Sequence, residues 1–187
     1  MAEERKRCEE FVRTSLLVDP RVHQLLQAMN KEGCPTGPSF FSCQYCPEQI
    51  QGYYEAGKGV TVCQNRMQGS KEALMTTVRH ELTHAYDACR VDLNPDSCAH
   101  HACTEIRASS LSGECEWGPE FMRRLALGEP MFMLRKQQQA CVRRRVALSL
   151  RMAECCKGKV DQSIDEVWDV CYQDTSPFAI HPSSSGV

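Results

Sequence analysis

Apolar residues recur at Phe11, Val12, Leu16, Leu17, Val22, Leu25, Leu26 and Met29, a helical spacing interrupted at Asp19-Pro20, so two short helices are predicted between Cys8 and Lys31. From Gly33 to Pro47 the chain is rich in Gly, Pro, Ser and Cys and has no helical period, which predicts a loop or irregular strand. Ile50 to Asn65 alternates, and Gly57-Lys58-Gly59 between Tyr53-Tyr54 and Val60-Thr61-Val62 reads as the turn of a hairpin. Lys71 to Arg90 follows with good helix formers, no Gly or Pro, and Ser70 as the expected N-cap with Ala73 at the third helical position. After the loop Asp92–Asp96 a further helix is predicted over Cys98–Leu111. Gly113, Gly118-Pro119 and Gly128-Glu129-Pro130 then punctuate the chain. Met131–Cys156 reads as one long helix exposing Arg135, Lys136, Arg143, Arg144 and Arg145, and Ser163–Tyr172 as a last one. The expected fold class is α+β, with a small antiparallel sheet before the helix at 71–90 and additional helices after it. Residues 1–7 are expected to be a flexible N-terminus, 8–176 a single domain and 177–187 a Ser/Pro-rich disordered tail.

Composition narrows the setting. A chain of 187 residues that is 42% hydrophobic can bury one good-sized core. A net charge of -2 and a pI near 6.3 give no electrostatic reason to expect nucleic acid as a partner. No run of eighteen apolar residues exists, so any membrane association is expected to be peripheral. Met1 to Arg7 resembles neither a secretory signal nor a transit peptide. The 13 cysteines, spread from Cys8 to Cys171, point the other way from a reducing cytosol: they predict disulfides and an oxidising compartment. The odd count leaves a thiol over, for which Cys8, near the N-terminus, is the expected residue. Cys43-Gln44-Tyr45-Cys46 is a CxxC, but no second close Cys pair completes a zinc ribbon, so each of the two is expected in a structural disulfide.

The chemistry lies in His80-Glu81-Leu82-Thr83-His84. On a helix, positions i and i+4 share a face, so the two imidazoles can converge on one metal ion. Glu81 beside the first can reach a water there as general base. Zn2+ suits two neutral imidazoles and an open position. Glu105, 21 positions beyond His84 on the next predicted helix, is the expected third ligand, as in a site of two histidines and a glutamate. His101, one turn before it, is the alternative, with His100 beside it; if Glu105 binds, His101 falls to the second shell or polarises an oxyanion. The metzincin pattern is absent, since position 90 is Arg90. Asp87 reads either as an acceptor for a ligand's ring N–H or as a solvated helix carboxylate. Arg107 and Glu114 read as surface or buried-pair residues, and Arg143-Arg144-Arg145 as a solvated face or a contact for acidic lipid. Val60-Thr61-Val62 reads either as an edge strand for an extended substrate or as a core strand.

The strings His80–His84, His100-His101-Ala102-Cys103-Thr104-Glu105-Ile106-Arg107-Ala108-Ser109 and Leu111-Ser112-Gly113-Glu114-Cys115, with Gly52-Tyr53-Tyr54 and Cys63-Gln64-Asn65, closely resemble the mitochondrial inner membrane protease Atp23 family, zinc metallopeptidase family M76. The likeness covers most of Cys34 to Pro177. It implies a disulfide-stapled, zincin-like metallopeptidase bound peripherally to the inner membrane on its intermembrane-space side. It implies removal of the N-terminal extension of the ATP synthase subunit 6 precursor, with help in assembling the membrane sector. A duty that is mainly non-proteolytic chaperoning is the alternative. The family pattern transfers to His80, Glu81 and His84; Glu105 rests on spacing.

Overall fold

The computed structural model describes residues 2–47, 50–68, 70–116, 127 and 137–179. They divide into two compact units, Met1–Asp92 and Leu93–Val187.

In the first unit the helices α1 (Ala2–Val18) and α2 (Pro20–Lys31) meet at Asp19. The break is chemical: Asp19 caps α2 by accepting the Val22 N–H at 2.9 Å, and Pro20 takes the first helical position, where no backbone donor is needed. Helix α1 begins at Ala2, within the 1–7 segment set apart above. Three short strands follow: β1 (Phe41–Gln44), β2 (Gly52–Glu55) and β3 (Gly59–Cys63), in the order β1-β3-β2. The hairpin β2–β3 is antiparallel, with Tyr53 opposite Thr61. Strand β1 runs parallel to β3, with Phe41 opposite Val60 and Cys43 opposite Val62.

Two expectations need correction here. The sheet is mixed rather than antiparallel, because the Gly/Pro/Cys-rich stretch supplies a third strand. Val60-Thr61-Val62 is not an edge: β3 is the central strand, buried along its whole length. Gly59 is where the turn enters β3, at φ +96°, and a Cβ there would stand 2.2 Å from the Phe40 carbonyl oxygen. Only glycine fits that approach.

The 20-residue helix α3 (Lys71–Arg90) completes the unit, its first turn capped by the Ser70 hydroxyl accepting the Ala73 N–H at 3.1 Å. It buries Leu74, Met75, Val78, Leu82, Ala85 and Tyr86, a three-and-four spacing that turns one stripe of the helix to the core. That stripe packs against α2, β2 and β3. Disulfides Cys8–Cys43, Cys34–Cys89 and Cys46–Cys63 staple the unit. Both CxxC cysteines thus sit in disulfides, while Cys8, expected free, is bonded and fully buried. Its helix lies along β1, which brings its sulfur to Cys43.

The second unit packs α4 (Cys98–Leu111), α5 (Gln137–Leu150) and α6 (Val160–Gln173) around Ala102, Ile106, Val142, Val146, Leu150, Ile164 and Trp168. Disulfides Cys98–Cys156, Cys103–Cys171 and Cys115–Cys141 tie it together, and Cys155 is the free cysteine. The long helix expected to reach Cys156 stops at Leu150. There Met152 and Ala153 donate to the carbonyls of Ser149 and Leu150, three residues back, which tightens the final turn. A short 3-10 turn at Glu154–Cys156 then delivers Cys156 to Cys98. The expected start of that helix at 131–136, the glycines Gly118 and Gly128, and residues 180–187 of the tail lie outside the described residues. Arg107, 1% exposed, pairs with Asp174 at 2.8 Å and donates to the Ser176 carbonyl at 2.5 Å, so it is a buried-pair residue. Glu114 pairs with Arg145 at 2.5 Å. No helix among the described residues is long and apolar enough to cross a membrane.

Candidate metal centre

His80, Glu81, His84 and Asp87 all lie on α3. Because Leu82, Ala85 and Tyr86 are locked into the core, the helix cannot rotate, and His80 and His84 share one half-buried stripe. Their Nε2 atoms stand 3.1 Å apart, the rings 73° from parallel. Two imidazole nitrogens bound tetrahedrally to one zinc ion are about 3.4 Å apart. The fixed helix therefore presents the pair close to a chelating geometry. Glu81 is half-buried beside them.

Arg79, directly before the motif, anchors the helix. Its Nε and Nη2 donate to Asp19 Oδ2 at 3.0 and 2.5 Å, and Nη1 donates to Glu72 at 2.9 Å. Burial opposes both charges, raising the Asp19 pKa and lowering that of Arg79. The Arg79 hydrogen bond and charge, with the Val22 N–H, outweigh it and hold Asp19 below the ordinary carboxylate value. The same pairing, with Glu72 added, holds Arg79 above the ordinary guanidinium value. Asp87 is 2% exposed and accepts from Arg90 Nε at 3.1 Å, so this carboxylate is buried and charge-paired rather than solvated.

In the second unit Glu105 and His101 share a face of α4. Glu105 is 8% exposed, and its Oε1 accepts the Ser149 hydroxyl hydrogen at 2.7 Å and stands 3.8 Å from His101 Nε2. His100 is drawn elsewhere: exposed, it accepts the Asn94 N–H on Nδ1 at 3.0 Å and closes the loop before α4. Sequence reasoning missed Arg79 and Ser149. Arg79 could have been singled out as a charge flanking the motif, whereas nothing in the pattern marks Ser149, whose contact is 44 residues away.

The model of the peptidase M76 family matches residues 6–179. A mitochondrial inner membrane protease of Schizosaccharomyces pombe is 36% identical over 95% of this chain and 94% of its own length. Relatives of the same description in Neosartorya fischeri and Saccharomyces cerevisiae are 39% and 37% identical, each over 92% of this chain and over 72% and 77% of their own lengths. No solved structure matches the chain. A family model spanning nearly the whole sequence, with relatives matched along most of their length, shows that this chain belongs to the peptidase M76 family.

Proposed function

We propose that the chain is a zinc metalloendopeptidase of zincin type. What carries the reading is the pair of imidazole nitrogens 3.1 Å apart on a core-locked helix, with a glutamate between them in sequence, in a chain of a peptidase family. The donor set proposed is one that zinc takes: two imidazoles, with the Glu105 carboxylate as third ligand on the strength of its spacing in the sequence, and His101 as its neighbour on α4. When bound, zinc supplies Lewis acidity that polarises a peptide carbonyl and acidifies water.

The chain's own residues do the rest. Glu81 takes the proton from the attacking water and returns it to the leaving amine, a shuttle that its place beside His80 permits. Ser149 fixes the Glu105 carboxylate by its hydrogen bond, and Asp87 with Arg90 keeps the end of α3 in place. The Asp19–Arg79 pair ties the helix to α2 and so sets where His80 starts.

The resemblance to inner membrane proteases supports a site of action at the mitochondrial inner membrane, peripheral and on the intermembrane-space side, where six disulfides would persist. The substrate proposed is the N-terminal extension of the ATP synthase subunit 6 precursor, with assistance to membrane-sector assembly as a second duty. The test is Glu81→Gln. Cleavage of the precursor falls at least about a hundredfold while zinc stays bound at one equivalent. Undiminished cleavage overturns the mechanism. If assembly persists in the variant, the two duties are separate.

A further inference from the structure

Twelve of the 13 cysteines are paired, and the one left over is not isolated. Cys155 Sγ stands 3.8 Å from Cys156 Sγ, itself bonded to Cys98, and 4.0 Å from His101 Nδ1. The donor atoms of His101, Cys155 and Cys156 all lie within 4.8 Å of one another. Two thiolates on one tetrahedral zinc ion are about 3.8 Å apart, and a thiolate and an imidazole nitrogen about 3.6 Å. The two sulfurs already stand at that spacing and the imidazole nitrogen slightly beyond it, with one sulfur occupied by a disulfide.

We propose that Cys98, His101, Cys155 and Cys156 form a second, thiolate-rich zinc site whenever the Cys98–Cys156 bond is open. Cys98 and His101 lie one helical turn apart on the first turn of α4, so their side chains share a face. Cys155 and Cys156 come from the 3-10 turn between α5 and α6. Three sulfurs and one nitrogen complete a tetrahedron of soft donors, a set that closed structural zinc sites use.

The chemistry balances with a dithiol as reductant. The dithiol gives two electrons and becomes a disulfide, and Cys98 and Cys156 each gain a proton. Zinc entry then releases the three thiol protons to solvent and leaves three thiolates and a neutral imidazole on the ion. In the reduced chain the ion ties the start of α4 to the α5–α6 turn, the same two places that the disulfide ties in the oxidised chain. It also occupies Cys155, which otherwise stands within reach of exchange with the neighbouring disulfide. His101 has its other nitrogen toward Glu105, so filling this site with Nδ1 leaves Nε2 to carry the proton facing that carboxylate.

The site goes beyond the peptidase reading and is testable apart from it. The full-length chain is opened by graded dithiothreitol, with or without zinc, then alkylated, and each cysteine is followed by peptide mass spectrometry. Once Cys98–Cys156 is open, alkylation of Cys98, Cys155 and Cys156 together is slowed about 100-fold at free zinc 100 times the dissociation constant. The protection persists when His80→Gln and His84→Gln remove the other zinc ligands, and weakens in His101→Asn. As a second measurement without reductant, Cys98→Ser with its other disulfides intact gives thiolate-to-metal charge-transfer absorption with Co2+, abolished by adding Cys155→Ser. Alkylation of Cys155 at one rate with and without zinc, or conversion of Cys155 and Cys156 into a disulfide with each other, overturns the proposal.

Discussion

Arg79 and Asp19, sixty residues apart, form a buried ion pair with a 2.5 Å contact and side chains only 12% and 7% exposed. One partner caps α2 and the other precedes His80, so a single pair joins a helix start to the stripe that carries His80 and His84. Removing one member of a buried pair leaves the other desolvated. Asp19→Asn is expected to cost about 3 kcal/mol of unfolding free energy. The sign of its pH dependence follows from the lowered carboxyl. A depressed folded pKa stabilises fully above the unfolded value, for which the ordinary 3.8 serves, and loses that stabilisation as pH falls through the folded value. The difference between wild type and variant in urea midpoints is therefore constant near neutrality and shrinks below pH 3.8. A gap that widens in acid is inconsistent with this pair.

Ser149 holds Glu105 from a different helix, with the hydroxyl 2.7 Å from the carboxylate oxygen. Losing such support for a ligand typically weakens metal binding tenfold or more. Ser149→Ala is expected to lower zinc affinity about tenfold, measured by competition with a chelator, with little change in thermal stability. Glu105→Gln lowers it further. Equal zinc affinity in all three proteins removes Glu105 from the ligand set.

How much of this was readable beforehand depends on the range of the interaction. Helix α3 was legible to the residue because its signals are local: Ser70 caps it, no Gly or Pro interrupts it, and the apolar stripe has the helical period. The same holds for α4 and for the break at Asp19-Pro20. Strand β1 was not legible as a parallel partner, since the pairing of Phe41 with Val60 is set by tertiary packing across a chain reversal. The end of α5 failed for a like reason. Arg151 and Met152 are good helix formers, yet the chain turns there so that Cys156 can bond Cys98. Which thiol is spare was equally a three-dimensional matter: Cys8 is bonded because its helix lies along β1, which carries Cys43, whereas Cys155 stands beside a sulfur already bonded to Cys98. The convergence of His80 and His84 on one stripe of α3 was readable from their spacing, while the long-range contacts of Arg79 with Asp19 and of Ser149 with Glu105 were not.

Gly59 tests the close packing of β3 under the hairpin. At φ +96° any side chain is strained, and its Cβ would lie 2.2 Å from backbone oxygen of Phe40, which cannot swing aside as a flexible side chain can. Gly59→Ala is expected to cost about 3 kcal/mol or more, read as a lower denaturant midpoint with an unchanged slope. Gly57, at φ +79° but with open space around it, provides the comparison: Gly57→Ala bears the backbone strain alone and costs about 1 kcal/mol. Equal losses at the two positions refute the close approach to Phe40.

The Cys34–Cys89 disulfide closes a 55-residue separation and fastens the last turn of α3 to the loop after α2. A loop of that length restricts the unfolded chain by about 4 kcal/mol in the chain-entropy account. Replacing both cysteines by serine is expected to lower stability by about 2–5 kcal/mol and to loosen α3 from its C-terminal end. His84 lies five residues before Cys89 and His80 nine, so the loosening reaches His84 first and spreads the two imidazoles. The measurement is hydrogen exchange along α3 in the metal-free protein, paired with zinc affinity. Protection falls at Asp87–Arg90 before it falls at Leu74–Val78, and affinity falls with it. Loss of global stability with unchanged zinc affinity means that the disulfide supports the fold alone and that the core stripe of Leu82, Ala85 and Tyr86 suffices to aim the ligands.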